Sequence, residues 1–487
     1  MLNQKQTPLL DALKVNAERF HAAFYTPGHK QGRGISPQLA EIFGRDIFRH
    51  DLPELAELDN LFAPCGVIQA AQELAAALFG ASHSWFLANG STCGIEAAIL
   101  ATCGDGDKIL LPRNVHSSAI AGLILSGAMP IFLNPEYDTT LDIAHSITPQ
   151  TVATALEKHP DAKAVMMVYP TYYGVCGDVQ AIANIAHEYH IPLLVDEAHG
   201  AHFAFHPELP LSALAAGADL TVQSIHKTLG AFTQASMLHL QGNRINRDRL
   251  RQALQLVQST SPSYLLLASL DAARQQMAIS GKELLTHTLE LAHLARTHIS
   301  LPSFFPLTPG SCLDSTRLTI NVSSLGMTGF VAEEILDEKY AVTPEFASLK
   351  HLTFIISIGN TQEDIQRLID SLSRLTQEYG SEKFTSQQPI LWENLFKVDD
   401  YVQISPRSAF FAPHQILPIR ETIGHICAET ICPYPPGIPV LMPGEVITLE
   451  TIEYLQTVKN CGGFVTGCTD GTLANIKVVK VYQRVPL

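Results

Sequence analysis

Ser224-Ile225-His226-Lys227 closes the apolar run Leu220–Val222, and Asp196-Glu197-Ala198-His199 closes another, Ile191–Val195. Both runs are short, continuous and apolar, the pattern of strands buried on both faces of a parallel sheet. Open α/β sheets gather their chemistry at the carboxyl ends of such strands. A lysine and an aspartate at two of those ends suit pyridoxal phosphate. The lysine joins the cofactor aldehyde as a Schiff base, and the carboxylate keeps the pyridine nitrogen protonated so that the ring accepts electrons. Alone, Lys227 would read as a solvated loop residue. Alone, Asp-Glu-Ala-His also spells a nucleotide-hydrolase box, but that chemistry needs a G-x-x-x-x-G-K-[ST] phosphate loop, and the chain has none.

A third piece lies upstream. Ala88-Asn89-Gly90-Ser91-Thr92-Cys93-Gly94 follows a strand-like Ser84–Leu87 and opens a helix-like run, Ile95–Thr102. Small residues at a helix start expose backbone N–H groups to an anion, and the helix dipole favours it there. Ser91 and Thr92 add hydroxyl donors. By itself the stretch is an ordinary N-cap; beside Asp196 and Lys227 it reads as a phosphate cup. A fourth piece is His116 in Pro112-Arg113-Asn114-Val115-His116. Its imidazole follows the strand Lys108–Leu111, where it could stack on the pyridine face or, more simply, cap a helix.

The 487 residues exceed one layer-packed core, so two or three domains are expected. Only 16% are charged, which hints at further surface buried in an oligomer. A net charge of −15 argues against nucleic acid as a partner and is compatible with a cationic substrate. The nine cysteines have no metal-finger spacing, so no metal is expected and free thiols in a reducing compartment are the simpler reading. The polar N-terminus lacks the apolar core of a signal peptide. No run of about eighteen apolar residues suggests a membrane span. A cytoplasmic protein is expected.

Along the chain, residues 1–60 read as an N-terminal arm. Residues 61–300 alternate seven strands with helices, an α/β pattern that predicts a mostly parallel sheet covered on both faces. The strands are Ser84–Leu87, Lys108–Leu111, Pro130–Leu133, Ala164–Tyr169, Ile191–Val195, Leu220–Val222 and Ser236–Leu240. Asp248 to about Thr297 reads as long helices. Prolines from Pro302 to Pro309 mark a boundary. Residues 301–380 read as a small α/β domain with a helix at Gln362–Leu375, and Gln377–Gln388 as a linker. Residues 389–487 form a last α+β module centred on Pro433-Tyr434-Pro435-Pro436-Gly437-Ile438-Pro439.

Taken together, these motifs resemble the fold-type-I, pyridoxal-phosphate-dependent ornithine/lysine/arginine decarboxylases, and in particular the short bacterial arginine/lysine type. The resemblance runs along essentially the whole chain. It is carried by Pro27-Gly28-His29-Lys30-Gln31-Gly32, Pro112–His116, Val195-Asp196-Glu197-Ala198-His199-Gly200, Ser224–Lys227, and Tyr434–Pro439 with Pro443-Gly444-Glu445. It implies Lys227 as the Schiff-base lysine, Asp196 as the ring-nitrogen partner and His116 as the stacking residue. It implies that Ser91, Thr92, Ser224 and His226 hold the phosphate, and that Ala198 and His199 line the cofactor and the site wall. It further implies a homodimer whose arm helps to close the partner's site. Large members carry an N-terminal receiver-like domain for decamer assembly; this chain starts at the arm, so a dimer or a tetramer of dimers is expected. Cys93 inside the cup departs from the family's pattern, but backbone N–H groups supply much of the grip.

The expected reaction is loss of CO2 from a basic L-amino acid, arginine, lysine or ornithine, in polyamine metabolism. His199 or Lys227 could return the proton to Cα. The cationic tail of the substrate needs a carboxylate, and Glu429 is preferred to Glu421. Two other readings stand at this level: another fold-type-I enzyme, such as an aminotransferase using Arg317 for the α-carboxylate, and a non-catalytic paralogue. Retention of both Lys227 and Asp196 argues against the latter.

Overall fold

The computed structural model describes residues 2–299, 301, 312–380, 402, 404–434 and 436–480. Seven strands form the main sheet: β1 (His83–Leu87), β2 (Lys108–Pro112), β3 (Met129–Leu133), β4 (Ala164–Val168), β5 (Leu193–Asp196), β6 (Leu220–Gln223) and β7 (Ser236–Leu240). Their order is β1-β7-β6-β5-β4-β2-β3. β2 is parallel to β3 and β4, and β5 to β6. The mostly parallel α/β sheet expected from the sequence is present, and every residue of β4, β5, β6 and β7 is buried.

One strand departs from the parallel pattern. β7 is antiparallel to both β1 and β6. The cause is local: the segment joining β6 to β7 carries just the four-residue helix Ile225–Thr228, too little to cross back over the sheet as a parallel return requires.

The chain forms two compact units, Met1–Ala101 with Leu194–Thr286, and Thr102–Leu193 with His287–Leu487. In the first, the arm begins with the helix Pro8–Glu18, which buries Leu9, Leu13 and Ala17. Its unpaired N-terminal amides are met by a carboxylate: Asp271 Oδ2 accepts from the N–H groups of Leu9 and Leu10, at 3.0 and 3.3 Å. Asp271 is paired in turn with Arg274, which donates to the carbonyl of Gln4. The arm is therefore tied to the long helix Tyr264–His298 by buried polar contacts as well as by apolar ones.

In the second unit, strands Arg317–Asn321, Phe346–Ala347 and His351–Ile355 form a three-stranded sheet. The helices Gly329–Tyr340 and Gln362–Tyr379 pack with it around Leu318, Ile320, Leu336, Leu352 and Leu372. The second helix starts at a capping box, Thr361 with Asp364, and buries the stripe Ile365, Leu368, Leu372 and Leu375. It runs to Tyr379, past the end expected at Leu375, so the first residues assigned to the linker are helical. Residues 381–388 of that linker, and the proline-rich boundary at 302–310, lie outside the described residues. A further core in this unit gathers Ile431, Leu441, Ile452, Leu455 and Val478. Around it lie two antiparallel ladders, His414–Pro418 with Asn475–Val479 and Cys432–Tyr434 with Phe464–Thr466, and the helix Leu449–Asn460.

Candidate active site

Within the first unit, the ends of β1, β5 and β6 bring most of the expected residues together. Asp196 is the last residue of β5 and is 6% exposed. Its Oδ1 accepts from the Ala198 N–H at 3.1 Å. Burial pushes its carboxyl pKa up, while the charge of Lys227 and the Ala198 N–H oppose this. A buried carboxyl of this kind is suited to a cationic partner, which a protonated ring nitrogen provides.

Lys227 stands on the single helical turn that follows β6. Its Nζ lies 3.0 Å from His199 Nε2. The half-buried amine and the buried imidazole thus form one hydrogen-bonded pair. Ser224, the residue that starts this turn, donates its hydroxyl to Ser91 Oγ at 2.8 Å. Ser91 and Thr92 sit in the first turn of the helix Gly90–Thr102. The hydroxyls of two segments therefore meet at a helix N-terminus, as a phosphate cup demands.

The corner leading into that helix is clamped. The Ala88 carbonyl accepts from Gln234 Nε2 at 2.6 Å, and the Ala88 N–H donates to Gln258 Oε1 at 3.0 Å. Gly94 lets the helix lie against the sheet: a Cβ there would fall 2.7 Å from both Leu87 Cδ1 and Val222 Cγ1. Cys93 is buried, with its Sγ on the Gly90 carbonyl at 3.1 Å. Burial pushes its thiol up to about 12, so it adds no negative charge to the cup.

His226 is held by the Ala235 carbonyl, which lies 3.0 Å from Nδ1. A carbonyl accepts, so Nδ1 carries a proton and Nε2 donates when the ring is charged. Burial holds this imidazole below its ordinary pKa, with the nearby Lys227 charge adding to the effect. A bound phosphate would reverse that balance. The donor set of the cup, the buried acid and the half-buried lysine fit pyridoxal phosphate.

His116 belongs to the second unit. It caps the helix Ser117–Ser126: its Nδ1 accepts from the Ser118 N–H at 3.1 Å, which leaves the ring proton on Nε2. His116 therefore caps this helix, a role compatible with the stacking one. Gly437, at φ +88°, borders that ring: a Cβ there would lie 3.3 Å from His116 Nε2. The Ser117 N–H donates to the Gly437 carbonyl at 3.1 Å.

Arg113 and Glu445 belong to motifs whose side chains had no assigned role in the sequence. They form a buried ion pair at 3.0 Å. Arg113 also donates to the carbonyls of Pro439 and Val440, and Glu445 accepts the Met442 N–H. The signal for this pair was one charge of each sign, Arg113 and Glu445, in two separate motifs.

Glu429 and Glu421 differ sharply. Glu421 is exposed. Glu429 is 5% exposed; its Oε2 accepts from the Thr469 N–H at 3.2 Å, and its buried Oε1 has no hydrogen-bond partner among the described residues. Arg317 is buried against Gly174, with the charges of Asp314 and Glu345 nearby.

Comparison with known proteins agrees with this reading. Residues 7–318 match the Orn/Lys/Arg decarboxylase major domain and residues 392–469 the C-terminal domain of the same family. The chain is 40% identical to arginine decarboxylase from Bacillus subtilis (strain 168), over 99% of this chain and 100% of the relative. It is 39% identical to arginine decarboxylase from Bacillus anthracis, over 99% of each. The crystal structure of the Francisella novicida lysine decarboxylase LdcF superposes with a TM-score of 0.83 at 24% identity, covering 97% of this chain and 81% of that one. Such similarity over nearly all of its length places the chain in the Orn/Lys/Arg decarboxylase family.

Proposed function

We propose that the protein removes the α-carboxyl group of L-arginine as CO2, giving agmatine for polyamine metabolism. Decarboxylation of a basic amino acid with pyridoxal phosphate is the family's activity. The choice of arginine is carried by the near full-length likeness to proteins named arginine decarboxylase, against 24% identity to Pseudomonas aeruginosa lysine decarboxylase.

When bound, the cofactor supplies an electron-withdrawing ring that stabilises negative charge at Cα as the carboxylate leaves. Lys227 would provide the amine that carries it, and Asp196 would keep its ring nitrogen protonated. Ser91, Thr92, Ser224 and His226 would hold the phosphate and Ala198 would line the cofactor, and His116 would be the stacking residue that the family resemblance implies. A proton must then return to Cα. Because His199 and Lys227 are hydrogen-bonded to each other, they serve as one donating pair.

Glu429 meets the guanidinium of the substrate. A buried carboxylate with one oxygen unpartnered among the described residues is costly until a cation arrives, and a guanidinium can engage both oxygens. An exposed Glu421 offers a charge screened by water. Glu429→Gln keeps the shape and removes the charge. It should lower kcat/KM for arginine by about 1.5–3 kcal/mol, leave the cofactor spectrum unchanged, and cost less with an uncharged analogue of similar length. Equal losses for both substrates would assign Glu429 to the fold.

The protein works in the cytoplasm as a homodimer or larger homo-oligomer, with the arm, the cofactor-binding domain, the small domain and the C-terminal domain divided near residues 60, 300 and 389. Exposed Phe20, Phe24, Ile42 and Phe43 on the arm support self-association, and no helix among the described residues is long and apolar enough to cross a membrane. One experiment tests the substrate: arginine, lysine and ornithine are offered together to the loaded enzyme and the amines identified. Agmatine should dominate; a predominance of cadaverine or putrescine would overturn the choice.

A further inference from the structure

A buried chain of side-chain hydrogen bonds crosses four strands of the first unit, slanting from the carboxyl ends of β5 and β6 toward the start of β1. It runs from Glu197, just after β5, to Gln223 on β6, His239 on β7 and Ser84 on β1. Glu197 Oε1 accepts the Ala213 N–H at 2.7 Å, and Oε2 accepts from Gln223 Nε2 at 2.8 Å. Gln223 Oε1 lies 3.1 Å from His239 Nε2, and His239 Nδ1 lies 2.6 Å from Ser84 Oγ. All four residues are buried. The imidazole is stacked on Phe79, with centroids 4.6 Å apart.

The chain has one direction, and elementary donor and acceptor rules fix it. An ionised Glu197 only accepts, so the Gln223 amide must turn its NH2 toward Glu197 and its oxygen toward His239. That oxygen needs a donor, which puts the His239 proton on Nε2. Nδ1 is then an acceptor and receives the Ser84 hydroxyl proton. No member can flip alone without setting two donors or two acceptors face to face in the interior, where water is not available to relieve them.

Its placement is what suggests a role. Glu197 directly follows Asp196. Gln223 directly precedes Ser224 and the turn of Lys227. Ser84 lies on the strand that leads to Ser91. The last backbone bond here runs from the Glu197 N–H to the Val222 carbonyl at 3.0 Å, and the Glu197–Gln223 bond extends the pairing one step beyond it.

We propose that Glu197, Gln223, His239 and Ser84 are positioning residues, a one-directional chain that holds the ring-nitrogen acid, the lysine turn and the phosphate-cup strand in mutual register, with Glu197 setting its direction. The inference rests on the cofactor assignment above and adds residues that touch neither cofactor nor substrate. Burial raises Glu197 to about 7, opposed by the N–H donors of Ala213 and Gln223, which favour the carboxylate, and burial lowers His239 to about 3, so its ring is neutral; the direction of the chain is that of the ionised Glu197 and is read above pH 7.

The test uses the full-length protein loaded with pyridoxal phosphate. Glu197→Gln replaces an acceptor with a group that also donates. The Ala213 N–H still requires an oxygen, so the new NH2 faces Gln223, which must turn over. His239 should then move its proton from Nε2 to Nδ1. Histidine 15N spectra, with the signal assigned by its absence in His239→Asn, read this without substrate or turnover. An unchanged His239 tautomer would overturn the assigned direction.

Ser84→Ala removes the far end of the chain with little change in volume. Each single variant should release cofactor at least about fivefold faster, and the double variant should release it no faster than the worse single one. Rates that multiply in the double variant, or that track the loss in apoprotein unfolding midpoint, would reduce the chain to four separate structural contacts. Failure of the decarboxylase reading would show separately, as wild-type protein that releases no CO2 from any basic amino acid.

Discussion

At Asp196, in the function proposed, one carboxyl would decide whether the ring can act as an electron sink. Burial raises its pKa, and its compensation comes from Lys227, the Ala198 N–H and the proposed ring cation. Asp196→Asn preserves size and the acceptor for Ala198, so cofactor should still bind. Turnover should fall well beyond threefold, because an unprotonated ring stabilises negative charge less well; a loss under threefold, less than roughly 1 kcal/mol in the barrier, would remove the role. Single residues were legible in the sequence where chemistry narrows the choice. Lys227 and Asp196 stood out as a set with the small-residue helix start at Ser91 and Thr92: each alone has an ordinary reading, and the combination suits one cofactor. Glu197, one position on, did not stand out: its function depends on Gln223, Ala213 and His239, whose proximity is set by strand order, and strand order is absent from a linear reading. Glu429 lay between these cases. Its charge was visible, but its burial and its oxygen left without a partner among the described residues are properties of the packed chain.

At the level of elements, the helix Gly90–Thr102 is the member whose position matters most, since its first turn presents Ser91 and Thr92. Gly94 sets how near it lies to β1 and β6. Gly94→Ala forces a methyl group into contacts of 2.7 Å. Overpacking of this kind costs about 1–3 kcal/mol, and displacement of the helix start should weaken cofactor affinity at the same time. Thermal unfolding and cofactor titration on the same variant check this; a destabilised protein with unaltered cofactor affinity would detach the cup from the packing beneath it. The main strands were readable because each is a short apolar run bounded by breakers. The reversal of β7 was not, because its strand composition is that of its parallel neighbours and the difference lies in the brevity of the connection before it. The run of the helix Gln362–Tyr379 beyond Leu375 was missed for a related reason: its last turn is polar, and a polar turn looks the same in a frayed helix and in a loop.

For the whole molecule, the low charged fraction and the apolar side chains left outside on the arm point the same way. Removing residues 1–32 deletes the helix Pro8–Glu18 together with its contacts to Asp271. The truncated protein should show weaker self-association in light scattering and lower activity together, and a fully active monomer would contradict the role given to the arm. The buried thiol of Cys93 has a further use at this scale. Thiolates, not thiols, react with alkylating reagents, and burial keeps Cys93 and Cys432 protonated, each pushed up to about 12. Cys65 and Cys312 are exposed. A maleimide dye at neutral pH should therefore mark Cys65 and Cys312 well before Cys93, with peptide mass spectrometry as the check. Because Cys65 falls in the first unit and Cys312 in the second, each unit carries an exposed native thiol at which it can be labelled without any substitution, while the thiol inside the cofactor cup stays unmodified.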